Sequence, residues 1–210
     1  MQIVREFFEL NLFHVLTHWQ HETLPQLSES GSLLFVEHIN PETECEPEFV
    51  LRPEDLPCVF RAVVEVRAWH NERFYASVAE SSPALRHVVE RETLALAESV
   101  FGSSEFRTIL VLSELPGSQG PRERAIQVFR EFGVDHILEF PVILRDILGR
   151  ISAQGNYAPS QTLQTMRLLK RYNLIRRQQL EFTFPSPPPP PARPVVHADP
   201  PAEEEEEEEG

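Results

Sequence analysis

Two short apolar runs, Thr108 to Leu112 and His136 to Phe140, bracket a helical stretch from Pro121 to Phe132. Runs of this length without polar alternation suit strands buried on both faces. Gly133 stops the helix between them, as a glycine just past a helix end does. Strand, helix, strand at this spacing closes as a right-handed crossover between parallel neighbours. A further short helix, Pro141 to Ile151, follows the second run. Whatever else the chain does, it must cover such a sheet with helices.

The residues before this unit add strands of another kind. Leu33 to Ile39 reads as a strand ended by Asn40-Pro41, and Glu48 to Leu51 as a shorter one. Phe60 to Ala68 is rich in Val and alternates. These strands lie close together, so they pair antiparallel and make the sheet mixed. Residues 3–20 read as an amphipathic helix, with Ile3, Phe7, Phe8, Leu12, Val15 and Trp19 at helical spacing. Phe74 to Val78 reads as a short strand. Ser82-Pro83 opens a helix that runs to Gly102, with serine as cap and proline in the first turn. After Gly155-Asn156, Ser160 to Leu174 is a helix, and Gln179 to Phe184 a closing strand. The expected class is α/β, a mixed sheet flanked by helices. The expected parts are a core over 1–151, a helix-and-strand extension over 152–184, and a tail over 185–210.

The tail differs in kind. Five consecutive prolines, Pro187 to Pro191, and seven glutamates, Glu203 to Glu209, dominate it. Proline donates no ladder hydrogen bond, and a run of like charges buries nothing, so disorder is expected there. Two readings stand: a docking tail for a protein partner, and a solubilising extension. The tail also skews the charge. The chain carries −14 overall, and residues 181–210 contribute −8 of it. The remaining −6 still makes an acidic body, which argues against an indiscriminate nucleic-acid binder. No run of about 18 apolar residues is present, so no membrane span is expected. The first residues lack the basic start and cleavage site of a signal peptide, which points to the cytoplasm. Cys45 and Cys58 are two cysteines without metal spacing and read as reduced thiols.

Chemistry is hinted at in Pro53 to Arg67. On a strand over 60–68, Arg61, Glu65, Arg67 and Trp69 share one face and Ala62, Val64, Val66 and Ala68 the other. Asp55 precedes the strand behind a proline-bounded turn. Two carboxylates and a cation near one another can hold a divalent metal and a phosphate. A Glu–Arg pair on the wet face of a half-buried strand is the simpler reading.

The order helix, three strands, helix, strand, helix, strand over residues 3–151, with Asp55 followed by Glu65-Val66-Arg67, resembles the restriction-endonuclease-like, or PD-(D/E)XK, nucleases. Residues 108–151 look like the Mrr-type branch. In that family an Asp begins the second core strand and Glu-x-Lys sits on the third. The resemblance implies Mg²⁺-dependent cleavage of DNA. Asp55 and Glu65 would be the metal ligands, Arg67 would stabilise charge at the phosphate, Glu9 would be a supporting carboxylate, and Glu54 an alternative to Asp55. Arg67 stands where the family has lysine. Arginine holds phosphate but does not deprotonate. With Lys170 the only lysine against 18 arginines, Arg67 fits either compositional drift in an active site or a silent site. A silent member would be a binding or regulatory protein.

Three other groupings stand out. His14, His18 and His21 would lie on one side of the first helix, as packing or surface residues rather than a zinc site, because no third strong ligand accompanies them. Arg167, Lys170, Arg171, Arg176 and Arg177 form the most basic stretch, which suits DNA phosphates or a helix C-terminus equally. Gly117-Ser118-Gln119-Gly120 lacks the lysine of a phosphate-binding loop and reads as a turn.

Overall fold

The computed structural model describes residues 1–17, 33–68 and 73–175. Five strands form one sheet in sequential order: β1 (Phe13–Thr17), β2 (Leu33–His38), β3 (Arg61–Arg67), β4 (Arg107–Leu112) and β5 (His136–Glu139). β1, β2 and β3 pair antiparallel, and β3, β4 and β5 pair parallel. The mixed sheet expected from the two styles of strand is therefore present. One face carries α1 (Gln2–Leu10), α5 (Phe140–Arg150) and α6 (Gln161–Arg171). The other carries α2 (Ala76–Ser81), a 3₁₀ helix (Pro83–Val89), α3 (Arg91–Phe101) and α4 (Gln119–Glu131).

Each face has its own core. Val64, Ile109, Val111 and Leu138 point to the first, where Phe7, Phe8, Ile143 and Met166 meet them. Val63, Leu110, Leu112 and Ile137 point to the second, against Leu85, Ala97, Ala125 and Phe129. Burial of each such large side chain stabilises the fold by about 1.5–3 kcal/mol. The described residues form one compact unit. Within it α6 packs on the first face through Leu163 and Met166, and its Ser160 cap accepts a hydrogen bond from Leu163 N.

The helix expected over residues 3–20 ends after Leu10. Asn11 closes it, its backbone and side-chain amides both donating to Phe7 O. Leu12 then adopts φ 64°, and the chain turns back as β1. Phe13 lands edge-on against Phe8, ring centres 5.2 Å apart. In β1 Phe13 and Val15 are buried while His14 and Leu16 are exposed, the period of a strand. The apolar residues of 12–16 satisfy both periods, which is why they read as helix.

Three further stretches differ from expectation. Residues 48–51 make a single parallel bridge, Val50 to Ile137, in place of a strand. Phe74 is tied through its N–H to Glu114 O, and the chain then enters α2 where a strand was expected. Ala, Ser and Glu fill that stretch, with Val78 its one β-branched residue. Ser82-Pro83 opens the 3₁₀ helix, without a capping bond from Ser82, and α3 begins only at Arg91. Gly102, at φ 63°, ends α3 as expected. The strand expected at 179–184 and the tail lie outside the described residues. No helix among the described residues is long and apolar enough to cross a membrane.

Candidate functional site

β3 is covered on both sides, so its expected wet face is not wet. Glu65 is 0% exposed. The second helical layer supplies the cover, through the 3₁₀ helix Pro83–Val89. From that helix His87 Nδ1 donates to Glu65 Oε1 at 3.0 Å. Arg67 Nε donates to the same oxygen at 2.8 Å, and Arg67 Nη2 lies 2.6 Å from it. Arg67 reaches Glu65 because residues two apart on a strand project from the same side. His87 gave no signal in the sequence. It is 22 residues from Glu65, and only the parallel crossover between β3 and β4 brings it there.

Asp55 lies elsewhere. It belongs to a 3₁₀ helix, Pro53–Cys58, where its carboxylate accepts from Arg52 N at 2.8 Å and closes a capping box. Leu51, Leu56 and Val59 around it pack into the first core, whereas Glu65 shares the second face with Val63. Asp55 is close enough to His136, at the start of β5, to act on it electrostatically. The structure brings Glu65 and Arg67 together and does not bring Asp55 to them. Nor does Asp55 begin the second strand. The residue that pairs with Glu65 from β2 is Leu33. Glu54 is exposed on the same 3₁₀ helix as Asp55, and Glu9 on α1 is paired with Arg5 at 2.8 Å. These carboxylates do not fit a Mg²⁺ site: Glu65 is held by Arg67 and His87, Asp55 by Arg52 N and Glu9 by Arg5. Among the described residues no cluster of three or more His, Cys, Asp or Glu is placed to hold a metal ion.

The carboxyl ends of the parallel strands carry a second polar lock. Glu139 accepts from Leu115 N at 2.9 Å and from both terminal nitrogens of Arg122, at 3.2 and 2.5 Å. This paired hydrogen bond raises the Arg122 pKa above its ordinary value. It fixes the start of α4 to the end of β5, and Gly117 to Gly120 lead into that helix. The basic stretch is only partly available. Lys170 Nζ donates to Leu148 O and Ile151 O, both at 2.7 Å, and so caps α5. Arg167 is half-buried and Arg171 exposed; Arg176 and Arg177 lie outside the described residues. His14 is exposed on β1, and His18 and His21 also lie outside.

The amino ends of β3, β4 and β5 are more open. A groove of about 660 Å³ runs past Phe60, Arg61, Phe106 and Arg107. Arg107 also borders a cavity of about 300 Å³ with Arg130 and His136. His136 Nδ1 donates to Glu48 O at 3.0 Å, and burial lowers its pKa below the ordinary value. The loop between β2 and Phe49 lines both spaces. There the two cysteines form a disulfide, Cys45–Cys58, which corrects the reading of reduced thiols. Glu42 N donates to Pro57 O at 2.8 Å and folds the loop back over the 3₁₀ helix. The pairing follows from that tertiary turn and leaves no trace in cysteine spacing.

The fold is a three-layer α/β class with a mixed five-stranded sheet. Comparison with known protein families, curated proteins and solved structures finds no match.

Proposed function

We propose that the chain is a restriction-endonuclease-like protein whose catalytic strand has been turned into structure, and that it acts by binding a protein partner. The observation that carries this reading is the fully buried Glu65 carboxylate, held on one oxygen by Arg67 and His87. A carboxylate that ligates Mg²⁺ keeps its oxygens toward the ion and its waters. Glu65 instead faces a guanidinium and an imidazole. The acidic, proline-rich tail is the proposed contact for a basic protein partner, and DNA is a subsidiary partner through Arg171 and its neighbours.

The second reading, Mg²⁺-dependent cleavage of DNA, draws on Glu65 and Arg67 standing side by side on the third strand of a mixed sheet. Nicking of supercoiled plasmid in Mg²⁺ or Mn²⁺ separates the two. The binding reading predicts no nicking above a no-protein control, with wild type and Glu65→Gln indistinguishable. Metal-dependent nicking that disappears in Glu65→Gln would overturn it.

A further inference from the structure

The loop from Asn40 to Glu48 carries Glu42, Glu44, Glu46 and Glu48 and no basic residue. Such a segment repels itself and has little apolar surface to bury, so its position depends on discrete tethers. Three are present. Glu42 N is bonded to Pro57 O at one end. Phe49 and Leu51 flank the bridge to Ile137 at the other. Between them stands Cys45–Cys58. The tethered loop walls both openings at the amino ends of the strands. Glu42 and Cys45 border the groove with Arg61 and Arg107. Glu46 and Pro47 border the smaller cavity with Arg107 and Arg130.

We infer that Cys45–Cys58 is a reversible thiol–disulfide exchange site, and that its reduction by a dithiol releases the acidic loop from the arginines at the amino edge of the sheet. Both cysteines line the larger groove and are partly exposed, so a reductant thiolate approaches the bond from solvent. The thiolate attacks one sulfur, the Cys45–Cys58 bond breaks, and the other cysteine leaves as thiolate. The second thiolate of the reductant then resolves the mixed disulfide. Two protons are taken up, the protein ends with two thiols and the reductant with one disulfide. Glu42 Oε2 lies 3.8 Å from Cys45 Sγ. That negative charge opposes a thiolate on Cys45, which makes Cys58 the better leaving group and Cys45 the point of attack. Reduction leaves residues 43–48 tethered only at their ends. The loop glutamates that share the walls of these spaces with Arg107 and Arg130 are then no longer fixed there, and the edge becomes more open to anionic groups. In the cytoplasm expected from the sequence, a protein disulfide is ordinarily transient or redox-sensing, which suits this role.

The test uses the full chain, oxidised or treated with dithiothreitol at neutral pH without denaturant. Alkylation and intact mass should reveal two new thiols. A glutamate-specific protease should then cut within 42–48 at least about tenfold faster in the reduced chain, because local opening governs such cleavage. Cuts within 73–175 should keep their oxidised rate. The double variant Cys45→Ser, Cys58→Ser should match the reduced chain. Three results would overturn the inference: a bond that yields only in denaturant, equal cutting of 42–48 in both states, or cutting that rises everywhere at once. The last would mark the bond as a staple of the whole fold.

Discussion

Glu65 and Arg67 form a pair whose energetics run opposite to intuition. Removing one partner of a buried ion pair strands the other charge, at a cost of about 3–5 kcal/mol, whereas replacing both with apolar residues is often neutral. Arg67→Ala leaves the buried Glu65 carboxylate with His87 alone and should therefore lower the free energy of unfolding by up to about 3–5 kcal/mol, a large share of the roughly 5–15 kcal/mol typical of a domain. Glu65→Met combined with Arg67→Met should recover part of that loss, with His87 Nδ1 then left without its carboxylate partner. Denaturant titration of the three proteins reads both numbers. If Arg67→Ala is silent, the pair does not hold β3 as described. His136 contributes differently. Burial depresses its folded pKa below the unfolded value near 6.5, so the unfolded chain binds the proton more readily. The associated stability is complete above the unfolded pKa and is lost as pH falls through the folded one. The melting temperature should decline below about pH 6.5. His136→Gln should flatten that decline in part, since burial also lowers the pKa of His38.

At the scale of elements, the turn from α1 into β1 is the local choice on which the order of the sheet depends. Leu12 holds φ 64° while 58% exposed. A left-handed residue other than glycine costs about 1–2 kcal/mol, and glycine's added chain entropy returns part of it. Leu12→Gly should stabilise the protein by up to about 1 kcal/mol in thermal unfolding. A loss of stability would mean that the Leu12 side chain contributes packing its exposure does not suggest. The same turn explains where the sequence was legible. β4, α4, β5 and α5 were readable because their apolar runs and glycine stops permit one period each. Residues 12–16 permit two, and tertiary packing of Phe13 on Phe8 decides between them. Of the site, the Glu65–Arg67 adjacency follows from strand periodicity alone. His87 and the cysteine pairing do not, because both depend on which loop is folded over which strand. Asp55 reads in the sequence as a partner of Glu65, and its capping role emerges only from the 3₁₀ turn that the structure shows.

Across the whole molecule, the two edges of the parallel strands are built to different ends. The carboxyl edge is locked by Glu139 with Arg122 and, deeper, by Glu65 with Arg67 and His87. The amino edge holds the open groove and the acidic loop. In open α/β sheets ligands commonly bind at the carboxyl edge, and here the charged side chains at that edge are committed to one another. The account therefore depends on Glu65 being a structural carboxylate that takes no ion. Anything that binds only the folded state raises its stability by RT ln(1 + [L]/Kd), about 2.7 kcal/mol at a hundredfold excess over Kd. The most direct measurement is the melting temperature of wild type and Glu65→Gln across millimolar Mn²⁺ and Mg²⁺. The account predicts that both proteins respond to the ions alike. A rise in wild type that Glu65→Gln abolishes would contradict it.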